Sequence, residues 1–349
     1  MKNKAFFGAI FLAIGCICLV NIGSGRSFNQ YSYANDSTPT SAPTLFLPLI
    51  TADNVRDIRE LMNFNLNQNV NAIWSPKDSL LAIYAEQGVQ IIDIADKNII
   101  FPFFEASAAT TSVLFSPDGQ ILAQATSDGG IHLWDLTANT EKRVLVGHEF
   151  GISAMAFSLD GKLLASADFE GNTIVWDMET YEQINQFEHA PPNSIEDLAF
   201  SPDGNVLAIA AIFGGIQMKD LTTGERFNNE LTDDGITALA FSPDGKYLAY
   251  GQPTGVIRVW GEDGWKTSLA LLRSHRGKIT NLVFSPNSDL LVSASEDGTV
   301  RIWETSTGNE LMVLQSHNGL INDISFGLQG SVISSAGQDG LVILWAIPQ

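Results

Sequence analysis

The word "FSPDG" at Phe115–Gly119 returns unchanged at Phe200–Gly204 and Phe241–Gly245. Its proline suits the second position of a type I turn, since the ring fixes φ there, and Ser and Gly are typical of the flanking positions. The word therefore predicts a strand that ends in a tight reverse turn. Four imperfect copies bring the total to seven: "WSPKD" from Trp74, "FSLDG" from Phe157, "FSPNS" from Phe284 and "FGLQG" from Phe326.

The spacing of these words is regular. The position that Ser occupies in the word falls at residues 75, 116, 158, 201, 242, 285 and 327, which gives spacings of 41, 42, 43, 41, 43 and 42. A period that stays near 42 indicates an array of similar supersecondary units, each packed mainly on its neighbours. We therefore expect one repeat domain rather than several unrelated domains.

The charge balance of the 349 residues bears on the kind of partner. The chain has 19 Lys and Arg against 39 Asp and Glu, for a net charge of -20. Nucleic-acid binding depends on clustered Lys and Arg, so we predict no nucleic-acid partner.

The N-terminus differs from the rest of the chain. "MKNK" is followed by an uninterrupted apolar run at Ala5–Val20, which is typical of an export signal. We predict that residues 1–34 are a signal peptide or a retained signal anchor, and that residues 35–50 are a Ser/Thr/Pro-rich spacer. The protein is thus expected to be exported, secreted or tethered, and to meet the membrane only through this segment if it is uncleaved. The cleavage site and lipidation at Cys16 stay open.

Both cysteines, Cys16 and Cys18, lie within this apolar run. The remainder of the chain therefore cannot use a disulfide, a thiolate metal site or a cysteine nucleophile.

A second anchor, a tryptophan, lies near the far end of most units, and the runs between the anchors are short, alternating and β-branched. Each unit therefore reads as four short strands. The stretch "GHEFGISAMAFSLDGKLLASADFEGNTIVWDMETYEQINQF" from Gly147 resembles a WD40 repeat throughout, and the chain resembles exported bacterial WD-repeat proteins. The resemblance implies an all-β fold, a seven-bladed β-propeller, which we place at residues 51–349.

The two ends of the chain are expected to meet in one blade. The last repeat stops at its third strand, "VILWAIPQ", and "RELMNFNL" at Arg59–Leu66 resembles "NELMVLQS" at Asn309–Ser316, the outer strand of blade six. We therefore predict that this N-terminal strand closes the last blade. The preceding "ITADNVRDI" is expected to form a helical turn.

Three histidines, His148, His275 and His317, fall just before the first strand of a unit. The resemblance implies a structural network in which such a His binds a Ser, an Asp and the Trp of the third strand. Blade six offers His275, Ser293 or Ser295, Asp297 and Trp303, and blade seven offers His317, Ser334 or Ser335, Asp339 and Trp345. Blade three offers His148, Ser166 and Trp176, with Glu170 in the usual Asp position. His189 holds the equivalent position in blade four, and His132 lies on a strand.

Outside these networks no Ser, His and Asp set has the spacing of a catalytic triad. We predict no enzyme activity, no metal site and no cofactor.

The turns between second and third strands are polar in three blades but apolar in blades three to five. Large apolar side chains at such turns are typical of a contact surface, although they could instead pack into neighbouring loops. The predicted partner-binding residues are Phe150, Phe169, Ile212, Phe213 and Pro253, beside Pro191 and Pro192. The function that we predict is a monomeric, non-catalytic scaffold that binds a protein or peptide. The alternative is a propeller enzyme, or a binder of small molecules or glycans at the channel mouth.

Overall fold

The computed structural model describes residues 47–348, apart from residues 67, 97, 105–107, 189–193, 214, 225, 228–234 and 262–267, together with two short strands, β1 (Cys16–Ile17) and β2 (Tyr31–Ser32). These two strands pair with each other. The rest of the predicted signal segment and the spacer up to residue 46 lie outside the described part. The only helices in the described ranges are 3-10 turns at Val55–Asp57 and Leu328–Gly330, and no described helix is long and apolar enough to cross a membrane.

The described residues form seven four-stranded antiparallel sheets, each one blade of a β-propeller. The predicted all-β, seven-bladed fold is therefore confirmed. Blades one to three contain β4 (Asn71–Trp74), β5 (Leu80–Ala85), β6 (Gly88–Asp93), β7 (Asn98–Phe104); β8 (Thr110–Phe115), β9 (Ile121–Thr126), β10 (Ile131–Asp135), β11 (Thr140–Leu145); and β12 (Ile152–Phe157), β13 (Leu163–Asp168), β14 (Asn172–Asp177), β15 (Gln183–Glu188).

The remaining blades follow the same order from the centre outwards. Blades four to seven contain β16 (Ile195–Phe200), β17 (Val206–Ala211), β18 (Gly215–Asp220), β19 (Arg226–Phe227); β20 (Ala238–Phe241), β21 (Leu248–Gly251), β22 (Ile257–Trp260), β23 (Ser268–Leu272); β24 (Ile279–Phe284), β25 (Leu290–Ser295), β26 (Val300–Glu304), β27 (Glu310–Leu314); and β28 (Ile321–Gly327), β29 (Val332–Gly337), β30 (Leu341–Ala346) with β3 (Arg59–Asn65).

The repeated word forms a turn that is stabilised by its own side chains. Ser116 Oγ donates to Asp118 Oδ1 (2.6 Å) and accepts the N–H of Ile121 (2.9 Å). Gly119 closes the turn by donating its N–H to the Ser116 carbonyl at 2.8 Å, with φ at +73°, a conformation that favours glycine. The word therefore repeats because each blade uses it to join its first and second strands.

The ring closes as predicted. Strand β3 pairs antiparallel with β30, with Met62 opposite Leu344 and Phe64 opposite Val342, and so supplies the outer strand of blade seven. The 3-10 turn that precedes it buries Val55 completely. The chain ends are thus joined by a sheet and by apolar packing.

The hydrophobic core is divided into seven clusters, each between two adjacent blades. Between blades two and three, for example, Leu133 packs against Leu164 and Trp176, all of them buried. The core therefore forms a band around the ring, and the first strands of the blades face the centre.

The two faces of the ring carry different loops. On one face, which we call the entry face, the turn between the second and third strands of each blade contacts the loop entering the next blade. Gly129 lies against the carbonyls of His148 and Phe150, and Gly235 against that of Ile212. The Ser-x-Asp-Gly turns occupy the opposite face, where Gly161 lies beside Pro117 of the preceding blade.

Candidate functional site

Blade six contains a complete four-residue network. His275 Nδ1 lies 2.9 Å from Asp297 Oδ2, and its Nε2 lies 2.8 Å from Ser293 Oγ. Trp303 Nε1–H donates to the same Ser293 oxygen at 2.9 Å. Of the two serines left open by the sequence, Ser295 instead donates to the Gly277 carbonyl.

The protonation of this network follows from its partners. Burial lowers the pKa of His275, although Asp297 opposes the shift, so the ring is neutral at pH 7. The carboxylate can only accept, which places the ring proton on Nδ1. Nε2 must then accept from the Ser293 hydroxyl, which in turn accepts from Trp303. Every ring nitrogen and hydroxyl of this four-residue network therefore has the partner that its chemistry requires.

Asp297 is held in its charged form. Burial alone would raise its pKa, but hydrogen bonds from the Thr299 hydroxyl, the Arg276 N–H and His275 outweigh burial and lower the pKa to about 2. The Thr299 hydroxyl donates to Asp297 Oδ1 at 2.7 Å. This carboxylate thus joins the loop entering blade six to the turn between its second and third strands.

Blade seven repeats the arrangement. His317 Nδ1 lies 3.0 Å from Asp339 Oδ1, its Nε2 lies 2.8 Å from Ser335 Oγ, and Trp345 Nε1–H donates to Ser335 at 2.9 Å. The other serine, Ser334, contacts Ser325 instead.

Blade three takes its carboxylate from a different position. Glu170, which stands in the usual Asp position of the sequence pattern, is exposed, and Asp168 Oδ2 lies 3.0 Å from His148 Nδ1 instead. Asp168 follows Ser166 by two residues on β13, so both side chains point to the same side of the strand. Ser166 accepts from Trp176 at 2.9 Å and contacts His148 at 2.8 Å, which completes the network.

We expect His275→Ala to lower the free energy of unfolding by about 1–2 kcal/mol, because Ser293 and Asp297 then lose a buried partner. His317→Ala should act similarly. His132→Ala is the control, since its ring pairs with the 40%-exposed Glu141 of β11 and stacks on Trp134 but belongs to no buried Ser–His–Asp network, and it should cost less than His275→Ala. Denaturant unfolding measures all three; equal values for His275→Ala and His132→Ala would contradict the buried network.

The predicted contact residues lie on the entry face. Phe150, Phe169 and Phe213 expose 46%, 53% and 62% of their surface, so about half of each side chain is open to solvent. Pro253 is also exposed, whereas Ile212 is half-buried. His189, Pro191 and Pro192 lie outside the described residues.

Phe150 and Phe169 lie on two segments that are hydrogen-bonded to each other. The Phe169 N–H donates to the Gly151 carbonyl at 3.0 Å, so the turn that carries Phe169 is tied to the loop that carries Phe150. The His148–Asp168 contact joins the same two segments underneath. We call the surface formed by Phe150, Phe169 and Phe213 the blade 3–4 surface. The sequence analysis missed Val146, which is 76% exposed on the same entry loop.

A second feature of the molecule is its central channel. A cavity of about 310 Å³ is lined mainly by the first strands of the blades, with Thr237, just before β20, from blade five and Tyr84 from β5. The lining contains three carboxylates, Glu196 and Asp197 of β16 and Asp323 of β28. At its rim, Lys278 Nζ reaches across blade five to Glu196 at 2.8 Å.

Burial raises the pKa of two channel carboxyls, Asp197 and Asp323, to about 7. The N–H groups of Leu239 and Leu198 partly oppose the shift at Asp197, and the charge of Asp197 adds to the shift at Asp323. Asp323 Oδ1 also accepts from Asn281 Nδ2 at 2.6 Å. Each of the two carboxyls therefore gains or loses its proton near neutral pH.

The sequence analysis did not identify these carboxylates, although a signal was present. The position three residues before the Phe or Trp of the repeated word is Asn71, Ser112, Ala154, Asp197, Ala238, Asn281 and Asp323 in the seven blades, and in two of them it is an acid. Five of these residues line the cavity: Ser112, Ala154, Asp197, Asn281 and Asp323. In the described part of the chain, no group of three or more His, Cys, Asp or Glu is placed to hold a metal ion.

Comparison with known proteins agrees with this architecture. Residues 109–349, which span blades two to seven, match the family model described as IFT122 first beta-propeller. Residues 72–145 match the Anaphase-promoting complex subunit 4 WD40 domain. A search of curated proteins found no match. WD40 propellers typically serve as protein-interaction scaffolds. Since the first match covers more than half of its length, the chain belongs to the IFT122 first beta-propeller family of WD40 propellers.

Proposed function

We propose that this protein is a non-catalytic scaffold that binds a protein or peptide through its blade 3–4 surface. The observation that carries the proposal is the exposure of Phe150, Phe169 and Phe213 on one face. The corresponding turns of blades two, six and seven are polar, as in "EDG" at Glu296–Gly298. Water-exposed aromatic rings are unfavourable unless something covers them, and clustered exposed apolar surface commonly marks a binding site.

The fixed positions of Phe150 and Phe169 support the same function. Phe150 and Phe169 are held by backbone hydrogen bonds and by the His148–Asp168 network, so their positions are set before a partner arrives. A pre-formed surface loses little conformational entropy on binding. The chemistry of the His networks is explained by stability alone, which favours binding over catalysis.

The N-terminal segment supports a location outside the cytoplasm. The basic start and apolar run at residues 1–20 are typical of an export signal, and residues 35–50 would then separate the propeller from a membrane if the signal is retained as an anchor. We propose that the scaffold acts as a monomer in an extracytoplasmic compartment.

The test of the proposal is the substitution Phe169→Ser. It should weaken capture of the partner from extracellular or envelope extract by roughly 30-fold, because an aromatic side chain at an interface centre contributes about 2 kcal/mol. The melting temperature should hardly change, since the ring is more than half exposed. Quantitative pull-down and thermal unfolding measure the two effects.

The matched control is Leu159→Ser, which removes a side chain of similar exposure (60%) from the opposite face of the same blade. It should leave both capture and melting unchanged. Full capture by correctly folded Phe169→Ser protein would refute the surface as the binding site.

The central channel favours a second candidate function, the binding of a polar small molecule or glycan, with or without catalysis. Its cavity is lined by carboxylates and hydroxyls, which suit hydrogen bonding to such a ligand. A ligand in the channel would still bind to Phe169→Ser protein, so the same variant separates the two functions.

A further inference from the structure

The charges around the blade 3–4 surface are of one sign. Glu149 precedes Phe150 and Glu170 follows Phe169 in the sequence, and both glutamates are exposed. Asp128, also exposed, lies on the turn that contacts the loop of Phe150. Within the described segments 127–130, 146–151 and 168–171, which form this part of the face, there is no Lys or Arg.

The histidine beneath the surface does not offset these charges. Burial lowers the pKa of His148, although Asp168 opposes the shift, so the ring is neutral at pH 7. Lys278, on the loop that enters blade six, is bound to Glu196. The blade 3–4 surface therefore combines apolar rings with the exposed carboxylates of Glu149 and Glu170.

The opposite side of the same face is mixed in charge. The loop that enters blade six contains Arg273, Arg276 and Lys278, and the two arginines are exposed, but the loop lies against the turn that carries Glu296 and the charged Asp297. The entry face is thus acidic and aromatic over blades two to four and carries both signs over blade six. An acidic partner would be repelled from the phenylalanines, whereas a basic one would be attracted to them.

We propose that the partner contacts the blade 3–4 surface with a segment that carries Lys or Arg next to apolar side chains. This inference rests on the proposed function. The ammonium or guanidinium groups would pair with Glu149 and Glu170, while the apolar side chains cover Phe150 and Phe169. The stems of Lys and Arg are themselves apolar and their charged ends are attracted to aromatic faces, so one residue can satisfy both parts of the surface.

The experiment selects binders from a library of random peptides of about a dozen residues displayed on phage, with the full chain as bait. The enriched peptides should contain Lys or Arg beside aromatic or aliphatic residues. Isothermal titration calorimetry with a synthetic copy of one enriched peptide should show weaker binding as salt is added, because Glu149 and Glu170 are exposed and salt screens their charges.

Charge removal then tests the contact itself. The double substitution Glu149→Gln and Glu170→Gln should lower the affinity for the enriched peptide about tenfold without changing the melting temperature of the protein. The matched control is Glu179→Gln with Glu182→Gln, which makes the same change in net charge on two exposed residues joining the third and fourth strands of blade three, on the opposite face. This control should bind the peptide with unchanged affinity.

Two results would overturn the inference, and they have different consequences for the proposed function. If the enriched peptides are acidic or uncharged and Phe169→Ser abolishes their binding, the basic partner is wrong but the blade 3–4 surface is still the site. If no selected peptide is weakened by Phe169→Ser, the surface itself fails, and the proposed function fails with it.

Discussion

Deleting residues 1–66 should prevent the propeller from forming a closed ring, whereas deleting residues 1–44 should leave it intact. The longer deletion removes β3, the outer strand of blade seven, together with Ile50, Val55, Ile58 and Leu66, which are each at most 6% exposed. Burial of each such side chain stabilises the fold by about 1.5–3 kcal/mol, so at least ~6 kcal/mol is lost. That loss is comparable to the whole stability of a typical domain, about 5–15 kcal/mol.

The two deletions are compared by thermal unfolding and by solubility. The longer deletion should also aggregate, because β30 becomes an unpaired sheet edge. The shorter deletion is the matched control, since it removes no described residue of the propeller. If both proteins melt at the same temperature and stay equally soluble, β3 does not close the ring.

The fold itself was predictable because its information is local and repeated. A word such as "FSPDG" specifies its own turn through Ser116, Asp118 and Gly119, and seven copies at one spacing leave one architecture. The closing strand was predictable for the same reason, since Arg59–Leu66 resembles another outer strand. The N-terminal bounds of signal, spacer and domain stay predictions.

The side-chain networks were predictable only where the spacing was standard. His275 and Asp297 are 22 residues apart, as are His317 and Asp339, and both pairs meet. In blade three, the carboxylate is that of Asp168, which lies 20 residues after His148, at the end of β13 rather than in the following turn. Asp168 and Glu170 are two residues apart and either could reach the His148 ring from sequence alone; only the structure shows that it is Asp168.

The channel carboxylates could not be recognised as a pair from sequence, because Asp197 and Asp323 are three blades apart. Each looks like an isolated acid in a strand until the ring brings both to the cavity. Likewise, the sequence could not decide whether the turn phenylalanines are exposed or packed. Exposure depends on the neighbouring loops, and the structure places Phe150, Phe169 and Phe213 in solvent.

The free energy of unfolding of the wild type, measured against that of Asp323→Asn at the same pH, should fall as pH rises from 5 to 8. A carboxyl whose pKa is raised from 3.8 to about 7 keeps its proton in the folded state while the unfolded chain has lost it. Its favourable contribution is complete below pH ~4 and is lost as pH rises through about 7. Between pH 5 and 7 this amounts to about 2 kcal/mol, since each full pKa unit is worth about 1.36 kcal/mol and the carboxyl is half-ionised at pH 7.

Asp323 should carry more of this effect than Asp197. Asp323 is only 9% exposed and faces Tyr84, whose own pKa burial also raises, whereas Asp197 is partly open to the channel and accepts two backbone N–H groups. Water and these N–H groups stabilise the charged form of Asp197. Asn at position 323 keeps an oxygen that can accept from Asn281, so the substitution removes the charge and little else.

The histidine networks contribute in two pH windows. Hydrogen bonds outweigh burial and lower the pKa of Asp297 to about 2, so its contribution is present above pH ~4 and is lost as pH falls through about 2. Burial lowers the pKa of His148 and His275, so their contribution is present above the unfolded pKa of about 6.5 and is lost as pH falls below it. The histidines thus oppose the channel carboxyls between pH 5 and 7, and the difference between Asp323→Asn and the wild type at each pH isolates the carboxyl.

Denaturant unfolding at pH 5, 6, 7 and 8 measures the effect for the wild type, Asp323→Asn and Ser153→Ala. The last variant is a neutral change in the lining of the same cavity, so its curve should run parallel to that of the wild type. The Asp323→Asn curve should rise relative to that of the wild type between pH 5 and 8, because the substitution removes the buried charge; any slope that remains comes from Asp197 and the histidines. An Asp323→Asn curve as steep as that of the wild type would mean that Asp323 is ionised in the folded channel throughout this range, with its charge compensated there.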